Sequence, residues 1–232
     1  MFSKSLASSL IAGLATVSLA ASVAPAVAAP AATKTVTLLR GAVVHGYPGN
    51  SAPATGSVAA TRPLTGSVTV LPVIGSATSE GTEWVRVLLP QRPDGSTGWI
   101  STNATRVGST PWFIAVSRSA HKARVYNKGR LIKSFTVIVG RPSMPTPAGQ
   151  FFVAEVASEG SSVTGPYALL TSAYSNVLQE FEGGPGQIAL HGRNGLPEPL
   201  GTSDSHGCVR FATSDITWLA QHVGAGTPIE IS

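Results

Sequence analysis

The sequence has a single cysteine, Cys208, and this scarcity excludes several protein classes. One thiol cannot form an intramolecular disulfide or a cysteine-based zinc site, so Cys208 is either a small core residue or a reactive thiol. Charged residues are also few, at 12% of the chain, while 25 glycines and 17 prolines interrupt it. Long helices need the opposite composition, with few breakers and many Glu, Lys and Leu. The composition therefore predicts a mainly β fold with many turns.

A strong charge of one sign is absent as well. The chain carries 16 Lys and Arg against 11 Asp and Glu, which gives a net charge of +5 at pH 7. This excess is too small and too scattered for a nucleic-acid-binding stripe, although it suits contact with an anionic polymer. We therefore expect no nucleic acid among the partners.

The longest apolar run lies at the start of the sequence. Lys4 precedes a stretch of Ala, Leu and Ser that is most apolar over residues 10–21. This pattern is typical of a secretory signal peptide, and Ala26-Val27-Ala28 supplies the small residues for cleavage after Ala28. An uncleaved membrane anchor is the alternative, but the run is short and diluted by serines. Because no second run of spanning length follows, we expect an exported protein of the cell wall or extracytoplasmic space, without a membrane span after cleavage.

The rest of the chain divides into two regions, 29–109 and 110–232, at the breaker-rich junction of residues 108–111. Alternation in residues 83–87 predicts a half-buried strand, and the turn over residues 90–96 makes a hairpin with the next strand. Asn127-Lys128-Gly129 predicts a second hairpin turn. The predicted strands are residues 35–39, 66–74, 84–89 and 98–100 in the first region, and 114–116, 123–126, 131–139 and 150–156 in the second.

One stretch near the end, Ser214 to Val223, has the spacing of an amphipathic helix. Its apolar residues fall at i, i+3, i+4 and i+7: Ile216, Leu219, Ala220 and Val223. Thr213 is the predicted N-cap, Asp215 suits the positive end of the helix dipole, and Gly224 ends the helix. The sequence therefore predicts one short C-terminal helix that packs on the strands.

Two of the five histidines lie close to the only cysteine. His206 precedes Cys208 by two residues, and His191 precedes it by seventeen. A thiol with its ordinary pKa of about 8.5 is mostly protonated at neutral pH, so a nucleophilic thiol needs a neighbouring base such as histidine. If the chain is extended here, His206 shares a face with Cys208, and the N–H groups of residues 207 and 208 can form an oxyanion hole beside Gly207. The pattern predicts cysteine nucleophilic catalysis.

Three other interpretations of these residues remain open. Cys208 can be an inert buried residue, as free cysteines often are. His191, His206 and Cys208 can bind zinc if Asp204 turns inward as a fourth ligand. A cysteine peptidase of another fold also uses Cys and His, but papain-like enzymes place the cysteine before the histidine, whereas here His191 comes first.

The motifs of the second region resemble the L,D-transpeptidase (YkuD-type) catalytic domain, in the order of that family. They are Val139-Gly140, the segments 145–151 and 165–169, His191-Gly192 and Ser205-His206-Gly207-Cys208. The resemblance implies a mostly antiparallel β-sandwich that acts on peptidoglycan stem peptides, without metal or cofactor. The first region, with its Trp-Val-Arg-Val and Gly-Trp-Ile strands, resembles bacterial SH3-like domains, which are small barrels. This second resemblance implies either a wall-binding groove at Trp84 and Trp99 or core positions for both residues.

The resemblance also implies roles for individual residues. Cys208 is the nucleophile that attacks the third stem residue and expels D-alanine, and His191 is the base that then protonates the leaving amine. His206 and Gly207 match the second His-Gly, which holds the oxyanion and the loop. An acceptor stem amine then gives a 3→3 cross-link, and we expect inhibition by carbapenems. With water as acceptor the enzyme is a carboxypeptidase, and without turnover it is a wall-binding protein.

The remaining predicted site residues are contacts to substrate. Arg210 replaces the Asn that many members of the family have two residues after the cysteine. Its guanidinium can bind a substrate carboxylate or form a structural salt bridge, and Arg193 has the same two interpretations. Tyr167 matches a segment near the donor site, and packing in the wall is the favoured interpretation of its role. The full set of predicted contacts is Arg210, Tyr167, Ser205, Gly192 and Arg193.

Overall fold

A computed structural model describes residues 29–158, 165–181 and 183–232. The predicted signal peptide, residues 1–28, lies outside the described residues. The described chain is mainly β, as the composition predicts, and it contains two large sheets and a helix near its end. Within the described residues, no helix is both long enough and apolar enough to cross a membrane.

The first sheet contains seven strands and is built from residues 33–110. They are β1 (Thr33–Leu38), β2 (Ala42–His45), β3 (Ala54–Val58), β4 (Val70–Ser79), β5 (Thr82–Leu88), β6 (Thr97–Ser101) and β7 (Thr105–Thr110). Their order across the sheet is β3-β2-β6-β5-β4-β1-β7. The inner side chains, such as Val36, Leu71 and Ile100, form a buried apolar cluster.

Two strand predictions in this sheet had different outcomes. The hairpin over residues 84–100 is confirmed, because β5 and β6 pair antiparallel with Trp84 opposite Ser101. Trp84 is buried and Trp99 is half-buried. The prediction for residues 66–74 is wrong at both ends, since β4 begins at Val70 and continues to Ser79. Residues before Val70 turn instead, with Gly66 at a φ of 68° and its N–H bonded to the Arg62 carbonyl.

The second sheet contains eight strands and packs against the helix. The elements of this region are β8 (Trp112–Ser117), β9 (Lys122–Asn127), β10 (Arg130–Thr136), β11 (Val139–Gly140), β12 (Gly149–Ser158), β13 (Tyr167–Tyr174), β14 (Gln187–Gly192), β15 (Ser203–Ser205), β16 (Val209–Phe211), α1 (Thr213–His222) and β17 (Pro228–Ile231). The order is β10-β9-β8-β17-β12-β13-β14-β16, with parallel pairs at β8/β17 and β14/β16. The hairpin at residues 127–129 is confirmed, with Lys128 and Gly129 at positive φ.

This sheet curves until its two edges nearly meet. Ile138, just after the edge strand β10, forms a two-bond bridge with Arg210 in the other edge strand β16. The enclosed cluster contains side chains from the strands and Ile216, Leu219 and Val223 from the helix region, so the predicted packing helix is confirmed. Curvature of this kind lets one short helix fill the interior and leaves the opposite face of β13 and β14 available for a site.

The predicted cap of the helix is wrong. Thr213 is the first helical residue, and the N-cap is Ala212, which has extended backbone angles and no side chain that can accept a hydrogen bond. Thr213 cannot cap from inside the first turn, because a capping side chain belongs to the residue with non-helical angles. At the other end, the Val223 N–H still bonds to the Leu219 carbonyl.

The two sheets contact each other through β12. Phe152 and Ala154 point away from the second sheet's own core and belong to the apolar cluster of the first sheet. Beside them, the buried carboxylate of Glu155 accepts hydrogen bonds from the Thr65 N–H and hydroxyl, at 3.1 and 2.9 Å. The first sheet is therefore held against the outer face of the second.

Candidate active site

The predicted base lies in β14, and the predicted nucleophile immediately precedes the adjacent parallel strand β16. In β14, Ile188 and Leu190 point into the core, so Ala189 and His191 point outward. In β16, Val209 and Phe211 are core residues, so Arg210 lies on the outward side, and Cys208 immediately precedes this strand. The register pairs His191 with Arg210, two residues beyond Cys208. At a strand spacing of about 4.8 Å and a rise of about 3.3 Å per residue, a histidine so placed can reach the thiol.

The thiol of Cys208 sits at a bend, where residues 206–208 leave the extended conformation before β16. Gly207 has a φ of 120°, which strongly favours glycine. The Ser205 hydroxyl crosses this bend, donating to the Cys208 carbonyl at 2.6 Å and accepting from the Gly207 N–H at 3.1 Å. The extended conformation considered for residues 206–208 is therefore wrong, and the bend fixes the direction of the thiol.

A threonine from a distant loop supports the same bend. Thr146, which is 1% exposed, donates its hydroxyl hydrogen to the Gly207 carbonyl at 2.7 Å. The same oxygen accepts the Gly140 N–H at 2.8 Å. Because both partners are backbone groups, Thr146 connects the end of β11 to the bend that holds Cys208.

The sulfur of Cys208 receives a backbone hydrogen bond. The Ala189 N–H, on β14, lies 3.4 Å from Sγ. An N–H directed at sulfur favours the thiolate, since the negative charge strengthens the bond. Cys208 is half-buried, so the thiol is shielded on the strand side and accessible on the other.

His191 is held in the tautomer that a base requires. Its Nδ1 lies 2.6 Å from the Gly192 carbonyl oxygen, and the residue is 6% exposed. A carbonyl can only accept, so Nδ1 carries the hydrogen and Nε2 is the basic nitrogen. The ring is thus positioned by the backbone of its own neighbour.

His206 takes a different position from the one its spacing indicates. Its ring stacks on Phe181, with centroids 5.7 Å apart and planes inclined by 28°. Phe181 is 42% exposed and belongs to the segment between β13 and β14. His206 therefore connects the bend to that segment.

The two predicted arginine contacts converge on one glutamate. Arg210 Nη1 lies 3.0 Å from Glu198 Oε1, and Arg210 is 8% exposed. Arg193 donates to the Glu198 carbonyl. The pKa of the Glu198 carboxyl is lowered, first by its own backbone N–H and then, against an opposing effect of burial, by Arg210. Of the two interpretations of Arg210, this geometry provides the salt bridge.

Four other predicted site residues bond or pack within the protein. Ser205 is fully buried and its hydroxyl is used on both sides within the bend, so it is not placed to contact substrate. Gly192 is buried, and its carbonyl fixes His191. The Gly207 N–H, predicted as an oxyanion donor, is bonded to Ser205. Tyr167 is half-buried and packs against the core cluster, which is its packing interpretation.

The zinc alternative has no support in the geometry of Asp204. Its carboxylate lies 3.6 Å from Arg141 Nη2, and the same arginine donates to the Asp204 carbonyl. Within residues 29–158, 165–181 and 183–232, no group of three or more His, Cys, Asp or Glu residues is arranged to hold a metal ion.

Sequence reasoning missed four contributors to the site: Thr146, Phe181, Ala189 and Glu198. Thr146 lies within a motif segment, but nothing in the sequence indicates that its hydroxyl bonds residue 207. Ala189 acts through its backbone, which no side chain signals. Phe181 and Glu198 lie in loops rich in Gly and Pro, where pairing depends on the fold.

The model of the YkuD family, described as the L,D-transpeptidase catalytic domain, matches residues 111–231. The chain is 30% identical over 122 residues to the YkuD protein of Bacillus licheniformis, covering 53% of this chain and 66% of that protein. It is 26% identical over 124 residues to L,D-transpeptidase 1 of Mycobacterium tuberculosis, covering 50% and 48%. The chain thus spans between about half and two thirds of the length of these relatives.

Solved structures of similar proteins include L,D-transpeptidase 3 from Mycobacterium tuberculosis in complex with a faropenem-derived adduct. That structure is 16% identical, covers 71% of this chain and 91% of its own, and has a TM-score of 0.46. The catalytic domain of the Enterococcus faecium L,D-transpeptidase, solved by NMR, is 22% identical, with coverage of 52% and 96% and a TM-score of 0.40.

Proposed function

Because the chain belongs to the YkuD family of L,D-transpeptidase catalytic domains, we propose that it is a peptidoglycan L,D-transpeptidase that forms 3→3 cross-links through a thioester on Cys208. The observation that carries the proposal is that β14, which contains His191, pairs with β16, which Cys208 immediately precedes. The thiol receives the Ala189 N–H, and the histidine has its basic nitrogen at Nε2. This pair supplies a nucleophile and a proton carrier, which acyl transfer requires.

In the acylation step, His191 Nε2 takes the thiol proton and Sγ attacks the carbonyl carbon of the third stem residue. The S–C bond forms and the C–N bond to the terminal D-alanine breaks. The departing amine takes the proton from Nε2, so that free D-alanine leaves with a neutral histidine behind. The fixed Nδ1–H bond to the Gly192 carbonyl keeps Nε2 directed to the reacting atoms in both transfers.

In the second step, the side-chain amine of an acceptor stem attacks the thioester. His191 Nε2 takes a proton from this amine, the new C–N bond forms, the S–C bond breaks, and Nε2 gives the proton to the leaving sulfur to restore the thiol. With water in place of the amine, the same steps release a tripeptide, which is the carboxypeptidase alternative. The difference lies in which acceptor reaches the thioester.

The location of the protein and the role of its first region are part of the same proposal. The signal-like run of residues 1–28 supports export to the cell wall, where stem peptides are found. The seven strands of residues 33–110 support an SH3-like barrel, and the half-buried ring of Trp99 is available for contact with the wall. Carbapenems, which acylate nucleophiles, are the expected inhibitors through Cys208.

The experiment is mass spectrometry of the products after residues 29–232 are incubated with a disaccharide tetrapeptide. Cys208→Ala is the control. A cross-linked dimer that has lost one D-alanine, absent with the variant, supports transpeptidation. Tripeptide alone favours the carboxypeptidase. Unchanged substrate with both proteins contradicts the proposal and favours a binding protein.

A further inference from the structure

A groove of about 510 Å³ lies on the outer face of the second sheet, beside the loop that joins β3 to β4. Its lining combines this loop with β13, β14 and the segment between them. The residues that define it are Arg62, Pro63, Leu64, Leu170, Phe181 and Gln187. The groove is therefore a feature that neither sheet forms alone.

The groove borders the segments that hold the thiol of Cys208. Leu170 is paired in register with Ala189, whose N–H donates to the sulfur. On the other wall, Phe181 stacks on His206, two residues before the cysteine. Two residues that line the groove, Leu170 and Phe181, are therefore neighbours of the segments on either side of the thiol.

The position of His191 determines which part of the substrate enters the groove. In β14, His191 lies two residues beyond Ala189 and Gln187 lies two residues before it, so the histidine and the groove are on opposite sides of the thiol. His191 must meet the leaving amine and then the acceptor amine. Both amines therefore occupy the His191 side, and the acyl part of the donor extends toward Gln187.

The loop that forms the far wall is fixed before substrate arrives. Glu155, which is 1% exposed, accepts two hydrogen bonds from Thr65, and its other oxygen lies 4.0 Å from Arg62 Nε. Leu64, between these anchors, is 60% exposed, and Phe181 across the groove is 42% exposed. Exposed apolar side chains on a rigid frame are the features of a binding surface.

Resting on the proposed function, we propose that the loop between β3 and β4 completes the donor subsite, with Leu64 packing on the acyl part of the donor stem peptide. The first region then takes part directly in substrate recognition. It would set the affinity for the donor without touching the reacting atoms.

The test measures binding of the disaccharide tetrapeptide to the Cys208→Ala protein by calorimetry, with and without Leu64→Ser. The loss of a partly covered leucine should raise Kd about fivefold. Leu39→Ser is the matched control, because Leu39 is also a 60% exposed leucine of the first region and does not line the groove. It should leave Kd unchanged. Equal Kd values for all three proteins overturn the proposal.

A second measurement uses the protein with Cys208 intact. Leu64→Ser should lower kcat/KM for the tetrapeptide about fivefold while inactivation by imipenem, which carries no stem peptide, keeps its rate. A parallel loss of imipenem reactivity overturns the proposal, since the change then acts on the thiol. If wild type shows no turnover but Leu64→Ser still weakens binding, the proposed function fails and the groove stands. If turnover occurs and Leu64→Ser matches wild type, the proposed function stands and the groove proposal fails.

Discussion

At the scale of single residues, the site depends on which atoms of each side chain are already bonded to other groups of the protein. Nδ1 of His191 is committed to the Gly192 carbonyl, and this leaves Nε2 as the atom that can exchange a proton. Ser205 is committed on both sides, so it shapes the bend rather than meeting substrate. Arg210 is paired with Glu198, which keeps the charge of this buried guanidinium compensated.

Replacing His191 with Gln should lower kcat/KM about 10³-fold, because the base for the thiol and the acid for the leaving amine are both lost. Alkylation of Cys208 by iodoacetamide between pH 6 and 8 should also slow. His222→Gln is the control, since His222 is exposed at the end of α1. An unchanged alkylation profile in His191→Gln would show that the histidine does not act on the thiol.

The carboxylate of Glu198, which pairs with Arg210, should make a contribution to folding stability that depends on pH. The pKa of Glu198 lies below its usual value of 4.5, first because its own backbone N–H bonds the carboxylate and then because Arg210 does, so the folded state binds this proton less readily than the unfolded chain does. Its contribution is complete above pH 4.5 and is lost as the pH falls through the folded-state pKa. The difference in Tm between wild type and Glu198→Gln should therefore be constant from pH 5 to 7, and the two Tm values should converge below pH 4.5. A difference that widens on acidification would contradict the assignment.

At the scale of secondary-structure elements, the parallel pairing of β14 and β16 places the two catalytic residues together. The bend before β16 and the loop after β11 then hold the thiol through Thr146. The site is thus built from a strand pair and a buried hydroxyl, and the helix serves only the core behind it.

Thr146→Val keeps the shape of the side chain but leaves the Gly207 carbonyl and the Gly140 N–H without their partner. We expect unfolding by urea to become easier by about 2 kcal/mol, with a loss in kcat/KM that exceeds the loss in folded protein. Thr146→Ser, which retains the hydroxyl, should recover most of both. If Val and Ser variants behave alike, the hydroxyl has no part in holding the bend.

The elements differ in how far the sequence predicts them. The hairpin at Lys128-Gly129 and the helix face of Ile216 and Leu219 follow from local turn chemistry and periodicity, and both are confirmed. The start of β4 and the cap at Ala212 were missed, because alternation and residue type do not locate where backbone angles change. Cys208 and His191 are identified by their motifs. The hydrogen bonds of Ser205 and Thr146 and the ion pair of Glu198 depend on tertiary contacts that the spacing of residues in the sequence does not predict.

At the scale of the whole molecule, the first sheet holds the catalytic sheet through a second contact. Arg92, in the loop between β5 and β6, donates to the carbonyls of Ser175, Leu178 and Pro185. The N–H of Tyr174 donates to Asp94 in the same loop, at 2.9 Å. This loop fixes the segment between β13 and β14, which carries the Phe181 ring against His206.

Arg92→Ala should release that segment. Three hydrogen bonds from one charged side chain disappear, and we expect a loss of about 2 to 3 kcal/mol in stability. Amides of residues 175–178 should exchange with deuterium faster than in wild type, while those of β8 and β9 keep their rates. Arg92→Lys retains the charge but not the forked geometry, so it should recover only part of the protection. Equal exchange in wild type and Arg92→Ala would show that the loop does not hold the segment.

Whether Cys208 carries the acyl group can be measured by mass spectrometry of the protein and of its peptides. Residues 29–232 are mixed with the disaccharide tetrapeptide, quenched in acid and digested. We expect an added mass equal to the substrate less alanine, located on Cys208, and no adduct on Cys208→Ala. Turnover by Cys208→Ala, or an adduct on another residue, would contradict this expectation.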